Sequence, residues 1–179
     1  MRKDISKFIS LVLRHKPDTI GIKLDKNGWA DLQELIDKSN AYRPILMMTM
    51  ENVMDVVENN DKKRFVISED GKSIRAAQGH SVGVDLGLKK EVPPFKLYHG
   101  TVERFLPSIQ EKGLMKMNRH HVHLSKDETT AAIVGDRRGK AIILEVNARA
   151  MNTDGYVFYL SENGVWLTDS VPPQYITFP

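Results

Sequence analysis

Histidine and arginine carry most of the chemistry this sequence can offer, and both cluster in short stretches. His15 stands between Arg14 and Lys16 in "VLRHKPD", where Pro17 stops an apolar helix. His120, His121 and His123 share "RHHVH", His99 sits in "YHGT", and His80 in "GHS". Four further arginines fall at expected loops and strand ends: Arg64 in "DKKRFV", Arg75 in "SIRAAQGHS", and Arg137 and Arg138 in "GDRRGK". A guanidinium is permanently charged and its planar fork matches phosphate oxygens, whereas an imidazole exchanges a proton near neutral pH. Basic residues in a last helical turn also offset the helix dipole and cap its carbonyls. Taken alone, "RHK" is explained by that structural role.

Other chemistries find less support. His121 and His123 alternate onto one strand face, but no nearby Asp, Glu or His completes a recognisable metal-ligand spacing, so no metal is expected. Cysteine is absent, which removes disulfides, thiol nucleophiles and zinc–cysteine sites. The acids are scattered, and those within the quoted His/Arg stretches, Asp18, Asp61 and Asp136, stand singly, which argues against a paired-carboxylate site. Ser81 and Ser125 are possible nucleophiles, but no Ser-His-Asp arrangement can be read from spacing. Neither a G-x-G-x-x-G nor a Walker A sequence is present, so a bound nucleotide would need another scaffold. The residues alone lead to a phosphate-rich ligand held by His and Arg.

These groups need elements to position them. The chain has 179 residues, 41% of them hydrophobic and 27% charged, with a net charge of +3, the composition of an ordinary globular protein. Neither half is a polycation, so any anion site must be a local cluster. No run is long enough to span a bilayer, and "MRKDISKF" enters an amphipathic pattern directly, so no signal peptide and a cytoplasmic location are expected. Ile5, Phe8, Ile9 and Val12 recur at helical spacing over residues 4–14. "GWADLQELIDKSN" predicts a second helix, with Asp31 and Glu34 as a capping pair and Trp29, Leu32, Leu35 and Ile36 on its apolar face. A third helix starts near Thr49, with Met50, Val53, Met54 and Val57 inward. "KRFVISEDGKSIRA" then reads as strand, turn at Asp70-Gly71, and strand. Three short helices and a two-stranded wing outline a winged-helix lobe over residues 1–80.

"SVGVDLGLKKEVPP" (81–94) has the composition of a connector. Residues 95–179 predict an α+β lobe with a mainly antiparallel sheet. Its strands are "FKLYHGT", "HHVHLS", "KAIILEVNA", a hairpin turning at Asn163-Gly164, and "QYITFP". "VERFLPSIQEKG", stopped by Gly113, and "KDETTAAIVG" are its helices.

With these clusters in order, the sequence resembles the KptA-type RNA (tRNA) 2′-phosphotransferases. The resemblance runs from "SKFISLVLRHKPDTIGIKLDKNGWADLQELI" through "DKKRFVIS", "IRAAQGHS", "LYHGT" and "HVHLS" to "VGDRRGKAIIL" and "ENGVWLT". It implies an N-terminal winged-helix lobe facing RNA and a C-terminal lobe of ADP-ribosyltransferase type holding NAD⁺ as a consumed co-substrate. The implied reaction removes an internal RNA 2′-phosphate, of the kind left by some forms of tRNA splicing. That phosphate attacks the anomeric carbon of the nicotinamide ribose and expels nicotinamide. The 2″-hydroxyl then attacks the phosphate, giving 2′-hydroxyl RNA and ADP-ribose 1″,2″-cyclic phosphate.

The family's Arg-His-Arg-Arg set is carried over to Arg14, His15, Arg64 and Arg137, the last chosen over Arg138 as the first arginine after "VGD". The resemblance implies that His99, Gly100, Thr101, His123, Leu124 and Ser125 bind NAD⁺. Lys16, Arg75, Gln78, Gly79, His80 and Ser81 would contact phosphate or RNA. One departure concerns the late-strand glutamate of many ADP-ribosyltransferases: Val165 stands there, and Glu162 precedes the turn. A phosphate acceptor, already a nucleophile, needs no such acid. Two other readings stay open: a transferase that caps terminal phosphates of RNA or DNA, and a non-catalytic winged-helix sensor of NAD⁺ or ADP-ribose. A monomer is the default expectation.

Overall fold

The computed structural model describes residues 2–179, which form two compact units, one ending at Gly87 and one running Leu88–Pro179. Both mix helices with small antiparallel sheets, so the fold is mixed α/β.

In the first unit, α1 (Arg2–Arg14) buries Ile5, Phe8, Ile9, Val12 and Leu13, an i, i+3, i+4, i+7, i+8 stripe. It packs with Leu32, Leu35 and Ile36 of α2 (Leu32–Tyr42) and with Val53 and Val56 of α3 (Met50–Glu58). The N-terminus of α2 is capped by Asp31, whose Oδ1 accepts from the Glu34 backbone N–H at 2.8 Å. A reciprocal pair starts α3: the Thr49 hydroxyl accepts from Asn52 N–H, and Asn52 Oδ1 accepts from Thr49 N–H. The inward face of α3 differs from the periodic expectation. Val53 and Val56 are buried and Met50 is exposed, because the helix starts at Met50 and its first turn stands clear of the core. The expected strand–turn–strand consists of β2 (Phe65–Ile67) and β3 (Ser73–Ala76), antiparallel around a turn in which Gly71 adopts φ +72°. A third strand, β1 (Ala30–Asp31), adds to β3, giving the order β1-β3-β2.

The stretch with connector composition is ordered and taken up by both units. On one side, Ser81 N–H donates to the Arg14 carbonyl and Asp85 N–H to that of Lys26. On the other, Glu91 N–H donates to the Phe158 carbonyl.

In the second unit, the expected single sheet is three small ones, all antiparallel. The first has β4 (Leu97–Thr101) paired along its length with β7 (Ile142–Val146), which also pairs with β11 (Ile176–Thr177). The second orders β6 (Val122–Leu124), β9 (Trp166–Thr168) and β8 (Phe158–Leu160); Gly164 takes φ +78° in the turn before β9. The third pairs β5 (Leu114–Met115) with β10 (Ser170–Val171). Helix α4 (Leu106–Lys112) stops at Gly113, as expected, and α5 (Glu128–Gly135) lies on β4. A short α6 (Ala148–Thr153) buries Met151 in the core formed by Leu97, Leu124, Leu144, Val146 and Phe158. Among the described residues no helix is long and apolar enough to cross a membrane.

Candidate active site

The end of α1 sets out the first group of side chains. His15 and Lys16 N–H both donate to the Leu11 carbonyl, which closes the helix before Pro17. Arg14 and His15 are half-buried and Lys16 is exposed. The segment 77–81 runs beside them. Ala77 N–H donates to the Arg64 carbonyl at 2.9 Å, and Ser81 N–H to the Arg14 carbonyl at 2.9 Å. The Ser81 hydroxyl lies 2.9 Å from His15 Nδ1. Between those anchors Gln78 and His80 are buried, and a Cβ added at Gly28 would stand 3.4 Å from His80 Nε2. Arg75 places its guanidinium 4.5 Å from the centre of the Trp29 ring, a stacked cation.

The second group forms where two sheets touch. β4 and β6 are each the edge strand of their sheet and meet at one bridge. There Tyr98 and Ser125 exchange both backbone hydrogen bonds at 2.8 Å. Past that bridge the His99 imidazole binds the His123 carbonyl, 3.0 Å from Nδ1. A carbonyl only accepts, so Nδ1 carries the proton and Nε2 of the neutral ring is an acceptor. Burial holds His99 below its usual pKa; the His123 carbonyl opposes this, and the Arg138 and Arg119 charges act with burial. Arg119 itself is lowered by desolvation and by Arg138. Two guanidinium groups whose charges both bear on this imidazole are suited to an anion.

Several predicted residues are placed differently from what a direct ligand role needs. Leu124 is 1% exposed and Thr101 is buried, so their side chains belong to the core. Gly100 is required by packing: a Cβ there would stand 1.8 Å from the Ala131 carbonyl oxygen of α5. His99, His123 and Ser125 keep partly accessible side chains. Arg137 is exposed in the single 3₁₀ turn Asp136–Arg138, which is tied down by Asp136 Oδ1 accepting from Ala141 N–H. Spacing in the sequence does not single out Arg119, although it directly precedes the histidine run. Among the described residues no three His, Asp or Glu groups come together as a metal site.

Comparison with known proteins bears on this pair of clusters. Residues 1–170 match the family described as "RNA 2′-phosphotransferase, Tpt1 / KptA family". The chain belongs to this family. A "Probable RNA 2′-phosphotransferase" of Rhodopirellula baltica is 58% identical over 175 residues, covering 97% of this chain and 94% of the relative. A protein of the same description from Flavobacterium johnsoniae is 59% identical over 176 residues, covering 98% and 96%. A third, from Fusobacterium nucleatum, is 53% identical over 176 residues and covers 97% of both chains. As a member of the Tpt1/KptA family the protein is an enzyme of the RNA 2′-phosphotransferase class.

Proposed function

We propose that this protein removes an internal RNA 2′-phosphate by transferring it to NAD⁺, with release of nicotinamide and ADP-ribose 1″,2″-cyclic phosphate. The observation that carries the reading is the family match over residues 1–170. The first unit, three helices and a small antiparallel wing, fits a winged-helix module. The second, with its paired edge strands, fits an ADP-ribosyltransferase-like one.

The chemistry asked of the residues is modest. A 2′-phosphate is already nucleophilic, so the first step needs alignment, relief of charge repulsion and stabilisation of an oxocarbenium-like centre. The second step moves a phosphoryl group, where guanidinium groups stabilise the equatorial oxygens. Arg14 and Arg64 hold the transferring phosphate, and Lys16 and Arg75 add charge for RNA. His15 is the one member of the Arg-His-Arg-Arg set able to exchange a proton near neutral pH, and it contacts the phosphate or the 2″-hydroxyl.

NAD⁺ supplies the electrophilic ribose carbon and the nicotinamide leaving group. The residues of the second unit fit such a ligand: His99 Nε2 can accept from a ribose hydroxyl, and the open edges of β4 and β6 beyond the Tyr98–Ser125 bridge offer backbone groups. His123 and Ser125 complete that edge. Arg137 takes the phosphate role that the resemblance gives it, and Arg119 and Arg138 join it because their charges bear on His99.

The reading is tested by nicotinamide release from NAD⁺, measured with an RNA bearing one internal 2′-phosphate and with the same RNA lacking it. Release only with the 2′-phosphate is expected. Release driven instead by a terminal phosphate would favour end capping. Binding of NAD⁺ with no release under any condition would leave a sensor.

A further inference from the structure

We propose that Ser81 is the positioning residue for His15, and that the segment 77–81 acts as the spine on which the catalytic set of the first unit is aligned; the inference rests on the transferase reading above. One residue makes two distinct contacts at the end of α1. Its backbone N–H takes the Arg14 carbonyl at 2.9 Å, and its hydroxyl takes His15 Nδ1 at 2.9 Å. The first contact fills one of the carbonyls that a helix C-terminus leaves without an intrahelical donor. The second holds the ring through Nδ1 and so fixes the imidazole about its side-chain torsions.

Serine suits this position because a hydroxyl both donates and accepts. It can hold neutral imidazole in either tautomer and can accept from Nδ1–H of the imidazolium, so the contact survives a change of protonation state. The placement of Ser81 is itself determined by the preceding residues. Ala77 is tied to the Arg64 carbonyl, and Gln78 and His80 are buried. Arg14, His15 and Arg64 come from two distant parts of the chain and are referred to one short segment. Ser81 is therefore assigned an orienting role rather than the direct phosphate contact that the resemblance implies.

The test compares wild type, Ser81→Ala and Ser81→Thr in steady-state nicotinamide release, together with the ring-nitrogen NMR signals of His15 in histidine-labelled protein. Ser81 is exposed and both variants keep the backbone cap, so folding is not at issue. Loss of ring orientation predicts a fall in kcat of about 10- to 100-fold in Ser81→Ala, with KM for RNA little changed. Ser81→Thr, which retains the hydroxyl, restores most of kcat, and the His15 Nδ1 signal moves in Ser81→Ala only. Unchanged kcat in Ser81→Ala, equal impairment in Ser81→Thr, or a rise in KM alone would overturn the assignment. If wild type itself releases no nicotinamide, the transferase reading fails. The His15 signal then still decides whether Ser81 holds the ring, and an unmoved signal in Ser81→Ala rejects it.

Discussion

His99 Nδ1 donates to the His123 backbone carbonyl across 3.0 Å. In an antiparallel ladder, hydrogen-bonded pairs recur every second residue, so after Tyr98–Ser125 the next such pair would be Gly100–His123. The imidazole takes the carbonyl which that pair would have used. β4 and β6 then run on as separate edges, and a side chain stands where a rung would have closed them. Under the proposed function, His99, His123 and Ser125 at this junction would bind NAD⁺.

Lowering the pH should destabilise the protein through His99. Its folded pKa lies below its ordinary value near 6.5, chiefly because of burial, so the unfolded chain binds more protons under acid conditions. Stability from this residue is complete above the unfolded value and falls as pH drops below it. His121, lowered by burial and by His120, acts in the same direction. Thermal melts from pH 7.5 to 5 should therefore show a steeper fall for wild type than for His99→Gln, which keeps a donor but does not titrate. Parallel curves would contradict the assignment.

Gly100→Ala should destabilise the second unit by about 3 kcal/mol, the upper range for overpacking between backbone segments. The added methyl meets the Ala131 carbonyl oxygen at 1.8 Å and Gly135 N at 2.9 Å, and neither can rotate away. Denaturant unfolding measures this. A variant as stable as wild type would mean that α5 does not rest on β4 as described.

The same helix can be probed at its start. Asp127 Oδ1 accepts from Thr130 N–H at 2.7 Å and its carboxyl is held below its usual pKa by that bond. Asp127→Ala should lose about 1 kcal/mol at neutral pH, a typical N-cap contribution. The difference from wild type should shrink as pH falls through the carboxylate range, because protonation removes the charged acceptor. A constant difference at all pH values would rule out the cap as its cause.

Arg119 and Arg137 in the second unit make separable predictions. Arg119→Ala removes a positive charge that opposes protonation of His99, so the His99 pKa should rise in an NMR titration. Under the proposed phosphate role, Arg119→Ala should also lower turnover by about 100-fold, at the scale of losing one preorganised charge-stabilising donor. If Arg119→Ala turns over normally while Arg137→Ala does not, the role belongs to Arg137 alone.

Local signals in the sequence located the elements better than the contacts between them. The stripe on α1, the Asp31 and Thr49 helix starts, the Asp70-Gly71 and Asn163-Gly164 turns and the Gly113 stop are set by residues close in the chain, and all appear where the pattern placed them. The two-residue strands β1, β5 and β10 are too short to show alternation and exist only through distant partners. Met50 satisfied helical spacing yet lies outward, because spacing does not say where the first turn meets the core. The Arg14–His15 pair was legible as a basic helix end, but its contact with Ser81 spans 66 positions. Leu124 and Thr101 shared motifs with accessible residues, and motif membership does not distinguish a side chain facing a ligand from one facing the core.

The most direct measurement resolves by mass the products formed from NAD⁺ and a short RNA carrying one internal 2′-phosphate, with controls lacking either the NAD⁺ or the phosphate. The account predicts 2′-hydroxyl RNA and ADP-ribose 1″,2″-cyclic phosphate in equal amounts, and neither product in the controls. Loss of the 2′-phosphate without NAD⁺, or an intact 2′-phosphate after prolonged incubation with it, would contradict the account.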